Sequence, residues 1–427
     1  IIMSKLRTVR GMQDILPSQV GLWQFFEQNV RRVFSAYGYD EIRFPIVEFT
    51  ELFDRSIGEE TDIVTKEMYT FLDRGGESLS LRPEGTAGCL RACLNNDLIR
   101  TESPRLWYMG PMFRYERPQK GRFRQFHQAS VEAFGVRGPH IDAEMILMTA
   151  RLWKALGVEK DLKLEVNSLG SNESRKDYIY HLMEYIEDNK SSMGKEIIDR
   201  SKKNPLRILD SKSPKIQDIL LDAPKIYDYL DVDSKDHFHK FLELLDQNSI
   251  KYSINHQLVR GLDYYNRTVF EWKSDSLGSQ DAICGGGRYD NLVQQLSGKD
   301  ISAVGFSIGI ERLILLLDEV INSASVSDHN LDGYFICLSD ESFAVAQELA
   351  EEIRSSLPSF NLKIHYGDGK ISTLLKRADK EGAKIALILG EEEINSKKIT
   401  IKDLRGSFSQ MKISFTEISK ELTNFIK

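Results

Sequence analysis

The chain has 427 residues and a formal net charge of −7, with 41% hydrophobic and 28% charged residues. That length exceeds one ordinary core and predicts roughly two to four domains of a soluble globular protein. No apolar run approaches the roughly 18 residues of a membrane span and no signal-peptide core opens the chain, so the sequence predicts a cytoplasmic protein; its acidity excludes nucleic-acid binding by bulk charge but not by a local basic patch.

Ile1 and Ile2 precede Met3 and are left out of the fold reasoning. After Pro17, the residues Trp23, Phe26, Val30, Val33, Phe34 and Tyr37 recur at helical spacing, with Ser18 as the expected cap and Gly38 as the stop. Glu41 to Val47 reads as a strand containing Pro45, which belongs at an edge, a bulge or an interface. Leu79 to Thr86, LSLRPEGT, puts the Glu84 carboxylate and the Thr86 hydroxyl on a tight turn before a helical run through Ala87, Leu90 and Leu94.

Gly110 to Gly135 predicts a hairpin. Phe113 and Tyr115 alternate with Arg114 and Glu116 before Pro118 to Gly121 breaks the pattern. On the return strand Gln128, Ser130 and Glu132 share one face while Ala129, Val131 and Ala133 share the other, so one side packs and the other meets something polar. Gly110 to Gln128 holds five Arg or Lys against one Glu in an otherwise acidic chain. Taken alone, this is equally an exposed basic turn on a sheet edge.

Residues 171–253 shift to Lys, Asp, Glu and Ser with apolar residues at helical spacing, including Tyr178, Leu182, Tyr185 and Ile186. Asp231 to Asp236 lacks the glycine of a calcium loop and reads as a solvated acidic turn; His237 and His239 have no further ligands nearby and are expected at the surface. Next come LVRGLDYYNRT from Leu258 and ICGGGRYD from Ile283, then a strand leading through Gly305 and Gly309 into an apolar helix with Arg312 in its first turn. Arg260 could cap a strand or pair with Asp263. An arginine at a helix start opposes the dipole unless an anion joins them. The polar stretch from Asn322 to Asp332 reads as a linker. Beyond it, strands at 334–338, 362–366, 384–389 and 398–401, with a helix at 343–356, predict a small α/β domain with a mixed or parallel sheet. Cys89, Cys93, Cys284 and Cys337 are scattered without CxxC pairs and read as buried thiols rather than zinc ligands.

Together these stretches resemble the class II aminoacyl-tRNA synthetases and, through the RGLDYY and GGGRYD stretches that general class II enzymes lack, the histidyl-tRNA synthetase family. Helix, strand and Pro45 are similar to motif 1, Phe113-Arg114-x-Glu116 to motif 2, and G-x-G-x-E-R ending at Arg312 to motif 3. The resemblance implies an α+β catalytic domain on an antiparallel sheet (3–170 and 254–322), interrupted by a helical insertion (171–253) and followed by a linker (323–332) and an α/β anticodon-binding domain (333–427). It implies activation of L-histidine with ATP, transfer to tRNA(His), Mg2+ carried with ATP rather than on a protein-only site, and a homodimer. By motif it assigns Arg114, Arg260 and Arg312 to catalysis. Histidine contacts fall to Glu84, Thr86, Arg114, Gln128, Glu132, Arg260, Tyr264 and Tyr265, ATP contacts to Arg114, Glu116 and Arg312, and the tRNA acceptor end to Arg117 and Gln119. Tyr115 stands where histidine is common in the family. Two other readings are a regulatory paralogue without synthetase activity and a tRNA-sensing module; the chain keeps the arginines, RGLDYY and the C-terminal domain, which the first would be expected to lose.

Overall fold

The computed structural model describes residues 6–58, 61–101, 103–211, 213–321, 331–406 and 408–426. The chain divides into two compact units, 1–322 and 323–427. The first contains a short strand β1 (Asp40–Glu41), then β2 (Val47–Phe49), β3 (Tyr69–Leu72), β4 (Ser78–Leu81), β5 (Arg105–Phe113), β6 (Gln125–Phe134), β7 (Lys163–Ser168), β8 (Ser253–Ile254), β9 (Asn266–Lys273), β10 (Ala282–Arg288) and β11 (Ala303–Gly309). Eight of them form one sheet in the order β1-β5-β6-β11-β10-β9-β7-β8, antiparallel except at its two edges. β2, β4 and β3 form a separate small antiparallel sheet.

The single strand expected over 41–47 is therefore two, lying in different sheets. Pro45 sits between β1 and β2; having no N–H to give a ladder, it falls where the chain leaves one sheet for the other. The first helix, Pro17–Ala36, starts one residue before the expected cap. Leu16 is its N-cap, the proline ring supplies the first helical φ, and Gln19 Oε1 accepts from Leu16 N at 3.3 Å. Gly38 follows its end at φ +78°.

The register shows why the large sheet has two chemically different faces. Tyr108 of β5, Ser130 of β6, Ser307 of β11, Gly285 of β10 and Glu271 of β9 stand side by side in one row. The neighbouring rows on that face hold Gly110, Gln128 and Gly309 on one side, and Glu132, Gly305 and Gly287 on the other. Glycine, serine and polar side chains thus leave that face low and open. The opposite face carries Trp107, Ala129, Val131, Phe306 and Ile308, all buried. Phe34 of the first helix meets both Trp107 and Phe306 edge-on, with ring centroids 5.9 Å apart in each case. The alternation of β6 between packed and polar sides is as the sequence predicts, whereas β5 stops at Phe113. Beyond it Arg114 N still donates across the hairpin to Arg124 O, whereas Tyr115 N turns away to Glu67 O, so Tyr115 to Pro118 leave the ladder.

Helices Asn172–Asp188, Lys195–Lys203, Pro214–Leu220 and Val232–Gln247 fill the polar-rich segment before β8. They share a core with the sheet: Tyr178, Leu182, Ile186, Ile216 and Leu220 pack in one cluster with Leu258, Val259, Tyr264 and Val269. Truncating such a side chain, as in Leu182→Ala, typically costs about 2–5 kcal/mol. Two expectations for this segment are corrected. Asp231 is not a solvated turn residue but the N-cap of Val232–Gln247; its carboxylate accepts from Ser234 N and from the Ser174 hydroxyl. His237 is not at the surface. It lies on the buried face of that helix with Ser234, Phe238, Phe241 and Leu245, and its Nε2 is 2.8 Å from Asp142 Oδ2 and 3.2 Å from Thr268 Oγ1. His239 is exposed, with Nε2 2.7 Å from the Tyr227 hydroxyl.

The second unit has a five-stranded mixed sheet, β13-β12-β14-β15-β16, built from β12 (Gly333–Cys337), β13 (Leu362–His365), β14 (Ile385–Leu389), β15 (Lys398–Asp403) and β16 (Met411–Ser414). The first three of these in sheet order are parallel; β15 and β16 add antiparallel, and β16 has no counterpart among the sequence-predicted strands. The helix Asp340–Ser356 begins three residues before the predicted one. Residues 323–330 of the expected linker lie outside the described residues. All four cysteines are buried free thiols, and among the described residues no helix is long and apolar enough to cross a membrane.

Candidate active site

The open face of the large sheet forms the floor of a cavity of about 280 Å³. Residues from five separate stretches line it: Glu84 and Thr86; Arg114, Glu116 and Gln128 of the hairpin; Arg260, Tyr264 and Tyr265; Gly285; and Arg312. Of the predicted site residues, Glu132, Arg117 and Gln119 lie outside this lining. Arg117 and Gln119 are exposed at the hairpin tip, where Gln119 pairs with Arg122 through the backbone.

Glu84 precedes the helix Thr86–Asn95 and caps it from outside. Its Oε2 accepts from Thr86 N at 2.7 Å and its Oε1 from Ala87 N at 2.9 Å. Burial raises its pKa against those two bonds. Each oxygen keeps lone-pair capacity for a second donor. On the same side Gln128 lines the cavity, and its Oε1 is buried with no hydrogen-bond partner among the described residues.

Glu132 lies one layer deeper, fully buried and ringed by hydroxyls. Thr86 Oγ1 donates to it at 2.8 Å, Tyr108 at 2.9 Å, and Tyr289 also donates. Burial is the largest influence, and it outweighs these three bonds to push the carboxyl up to about 8. A Cβ at Gly305, directly across the sheet, would collide with the Glu132 carboxylate and the Val131 carbonyl, so that position must be glycine for Glu132 to sit there. In the glycine triplet, Gly285 lines the cavity beside the Arg260 guanidinium; Gly286 and Gly287 instead let β10 approach the backbones of β11 and β9.

At the other end the arginines gather. Arg114 donates Nε to Pro83 O at 2.8 Å, its guanidinium carbon lies 5.2 Å from the Phe126 ring centroid, and Nη1 is 3.8 Å from Glu116. Arg312 donates to Ala282 O at 2.7 Å and Gly121 O at 3.2 Å. Burial lowers the pKa of both, and for Arg312 the nearby Arg122 and Arg114 add to that. Arg122 pairs with Glu116. Arg260 does not pair with Asp263 as its local sequence allows. Its partner is Glu271, opposite it on β9, while Asp263 accepts from Asn204. Burial works against the Arg260 charge, but Glu271 with Tyr265 and Cys284 hold its pKa above the ordinary value. Its Nε is buried without a partner, a donor to match the acceptor on Gln128.

Sequence reasoning missed Glu271, Arg122, Tyr108 and Tyr289. Arg122 was visible in the basic turn and Tyr289 directly follows the glycine-rich strand; Glu271 and Tyr108 had no local signal and enter through the sheet register alone. Tyr115 does not line the cavity. It carries the Arg124 guanidinium 3.6 Å from its ring centroid and meets Tyr69 edge-on.

An antiparallel sheet with an open polar face, half-buried arginines converging from the hairpin and from a helix start, and a separate mixed-sheet unit define a class II aminoacyl-tRNA synthetase. The histidyl-tRNA synthetase family model matches residues 11–313 and an anticodon-binding domain model matches 332–425. The chain belongs to the histidyl-tRNA synthetase family. It is similar to the apo histidyl-tRNA synthetase of S. aureus, with 32% identity over 98% of this chain and 99% of that one at a TM-score of 0.79. The fold is also shared with a histidyl-tRNA synthetase from Nostoc (19% identity, covering 99% and 100% of the two chains, TM-score 0.68). An ATP phosphoribosyltransferase regulatory subunit/histidyl-tRNA synthetase from Bacillus halodurans shares it too (23% identity, 91% and 99% covered, TM-score 0.65). The enzyme is a ligase that joins histidine to tRNA.

Proposed function

We propose that this cavity activates L-histidine with ATP and then charges tRNA(His), with the roles as follows. The observation that carries the reading is the gathering of unmet groups: Gln128 with a buried unpartnered acceptor and Arg260 with a buried unpartnered donor line, among the described residues, one cavity with Glu84, Thr86, Arg114 and Arg312. An amino acid bound as a zwitterion beside a triphosphate presents the complementary set. Its ammonium meets Glu84, Thr86 and Gln128, and its ring meets Tyr265 with Tyr264 alongside. Glu132 becomes the second ring contact when the ring takes the place of one of its hydroxyl partners.

The histidine carboxylate attacks the α-phosphorus and the bond to the β-phosphoryl oxygen breaks, releasing pyrophosphate. Arg114 and Arg260 hold the charge that gathers at the α-phosphate, and Arg312 holds the phosphate tail, so the enzyme works by position and fixed charge. Phe126, beneath Arg114, offers a flat face to the adenine, with Glu116 at its edge. Among the described residues no group of three His, Cys, Asp or Glu side chains could hold a metal. Glu116 and Glu271 line the cavity, and one or two carboxylates with phosphate oxygens suit Mg2+, which when bound screens the β and γ phosphates. In the second step the terminal adenosine hydroxyl of the tRNA attacks the carbonyl and AMP leaves. Arg117 and Gln119, exposed at the hairpin tip, contact the acceptor end, the Arg through phosphate and the Gln through a base edge.

We further propose a cytoplasmic homodimer formed around the small sheet, where Ile46, Val47, Phe49, Phe71 and Leu72 are exposed. Domain limits of 3–170 with 254–322, 171–253 and 333–427 complete the reading. Histidine-dependent pyrophosphate exchange tests the cavity assignment. Loss of exchange in Tyr265→Phe or Gln128→Ala, with ATP affinity kept, supports it, and wild-type histidine KM in both variants removes it.

A further inference from the structure

The segment from Arg260 to Tyr265 carries three of the proposed site residues, yet none of residues 261–264 belongs to a strand or a helix; 263 and 264 form a turn. Its alternate carbonyls accept from arginines of the helical segment instead. Arg175, in the helix Asn172–Asp188, donates Nη1 to Tyr265 O at 2.8 Å and to Asp263 O at 3.5 Å, while its Nη2 donates to Asn172 at 3.2 Å. Arg207, in the short turn Pro205–Ile208, donates to Gly261 O, and its neighbour Asn204 donates to the Asp263 carboxylate at 2.9 Å. Beside the segment lies a cavity of about 390 Å³ bordered by Arg175, Asp263 and Tyr264.

We propose that Arg175 and Arg207 are positioning residues that set the register of the histidine-selecting segment, so that the Arg260 guanidinium and the Tyr265 hydroxyl arrive together. This rests on the roles given above for Arg260 and Tyr265. Three successive alternate carbonyls, of 261, 263 and 265, are held by two guanidinium groups from outside the sheet. Glycine at 261 would otherwise leave the chain free to rotate between the two site residues. Arg175 spans two carbonyls and a side-chain amide with a rigid fork, which a lysine cannot reproduce; Arg207 uses a single donor on one carbonyl, which a lysine can.

The test is steady-state pyrophosphate exchange with the full-length enzyme. Arg207→Ala is expected to raise the histidine KM roughly 3- to 10-fold, the loss of one hydrogen bond from a charged donor, with the ATP KM within about twofold of wild type. Arg207→Lys recovers most of that loss and Arg175→Lys does not. In a Tyr265→Phe background Arg207→Ala costs less than it does alone, because the positioned group is already gone. Equal rises in both KM values, additive effects in the double variant, or a wild-type histidine KM for Arg207→Ala beside an impaired Tyr265→Phe overturn the clamp alone. An unimpaired Tyr265→Phe overturns the site reading, and the clamp with it.

Discussion

At one end of the cavity Arg114 and Arg312 are tied to backbone carbonyls, with Arg122 on Glu116. Beneath the other, one layer deeper than the lining, Glu132 has hydroxyl partners and, among the described residues, no basic one. The arginine end has positive charge that burial destabilises and that an anion would relieve, which suits a triphosphate. The carboxyl end has its acidic group pushed up to about 8, so at neutral pH it is largely uncharged, which suits recognition by donor and acceptor pattern. Rate is therefore expected to depend on the first end and selection on the second.

The sharpest way to break that contrast is Arg260→His. Removing one preorganised donor typically costs roughly 10²- to 10³-fold in rate, and we expect a loss of that order in histidyl-adenylate formation, with much smaller changes in histidine and ATP binding and in transfer from preformed adenylate. Single-turnover kinetics of each step on a protein with an unchanged melt check it. Glu132→Gln should act on the other axis, raising the histidine KM by roughly 10- to 100-fold while sparing the ATP KM, as steady-state exchange would show. Arg117→Ala is expected to lower aminoacylation several-fold and leave exchange intact; a parallel fall in both would move the hairpin tip into the ATP site.

The smallest expected effect concerns stability. Glu132 keeps its proton in the folded state up to about pH 8, whereas in the unfolded chain it ionises near 4.5. The folded state binds more protons in that window, so stability falls as pH rises from about 4.5 to 8. Glu132→Gln removes this slope, and melting temperatures taken at pH 5.5 and 8 should differ less for the variant than for wild type. Asp142 acts in the opposite sense. Burial penalises its charge, but Arg288 and His237 more than compensate and hold its pKa down to about 2, so its contribution is lost only as pH falls below 3.8 toward 2.

Much of this was legible from the residues. The two faces of β6 follow from strict alternation, and Arg114 and Arg312 were placed by the resemblance to motifs 2 and 3. What stayed hidden was contact across the sheet. Glu271 is eleven residues from Arg260, yet Asp263 was the nearer carboxylate in sequence; only the pairing of β9 with β10 and the path of 260–265 decide between them. His237 was read as a surface residue because it has no ligand-like neighbours in sequence. Its spacing with Phe238, Phe241 and Leu245 already put it on the apolar face of its helix, and that periodicity was the better guide. Its partners Asp142 and Thr268 are distant in sequence and gave no sign. β16 was missed because a polar turn separates its four residues from β15, too short a run for alternation to register.

The glycine at 305 has a consequence for inhibitors. A side chain there would drive into Glu132 and the β6 backbone. Gly305 is itself buried under Glu132 and outside the cavity lining, so a substitution there would reach a compound bound in the cavity only by displacing the Glu132 carboxyl, to which we assign the choice of amino acid. On that assignment, escape through residue 305 is expected to cost the enzyme its substrate, and resistance is expected at the arginine end or in the segment around Tyr265.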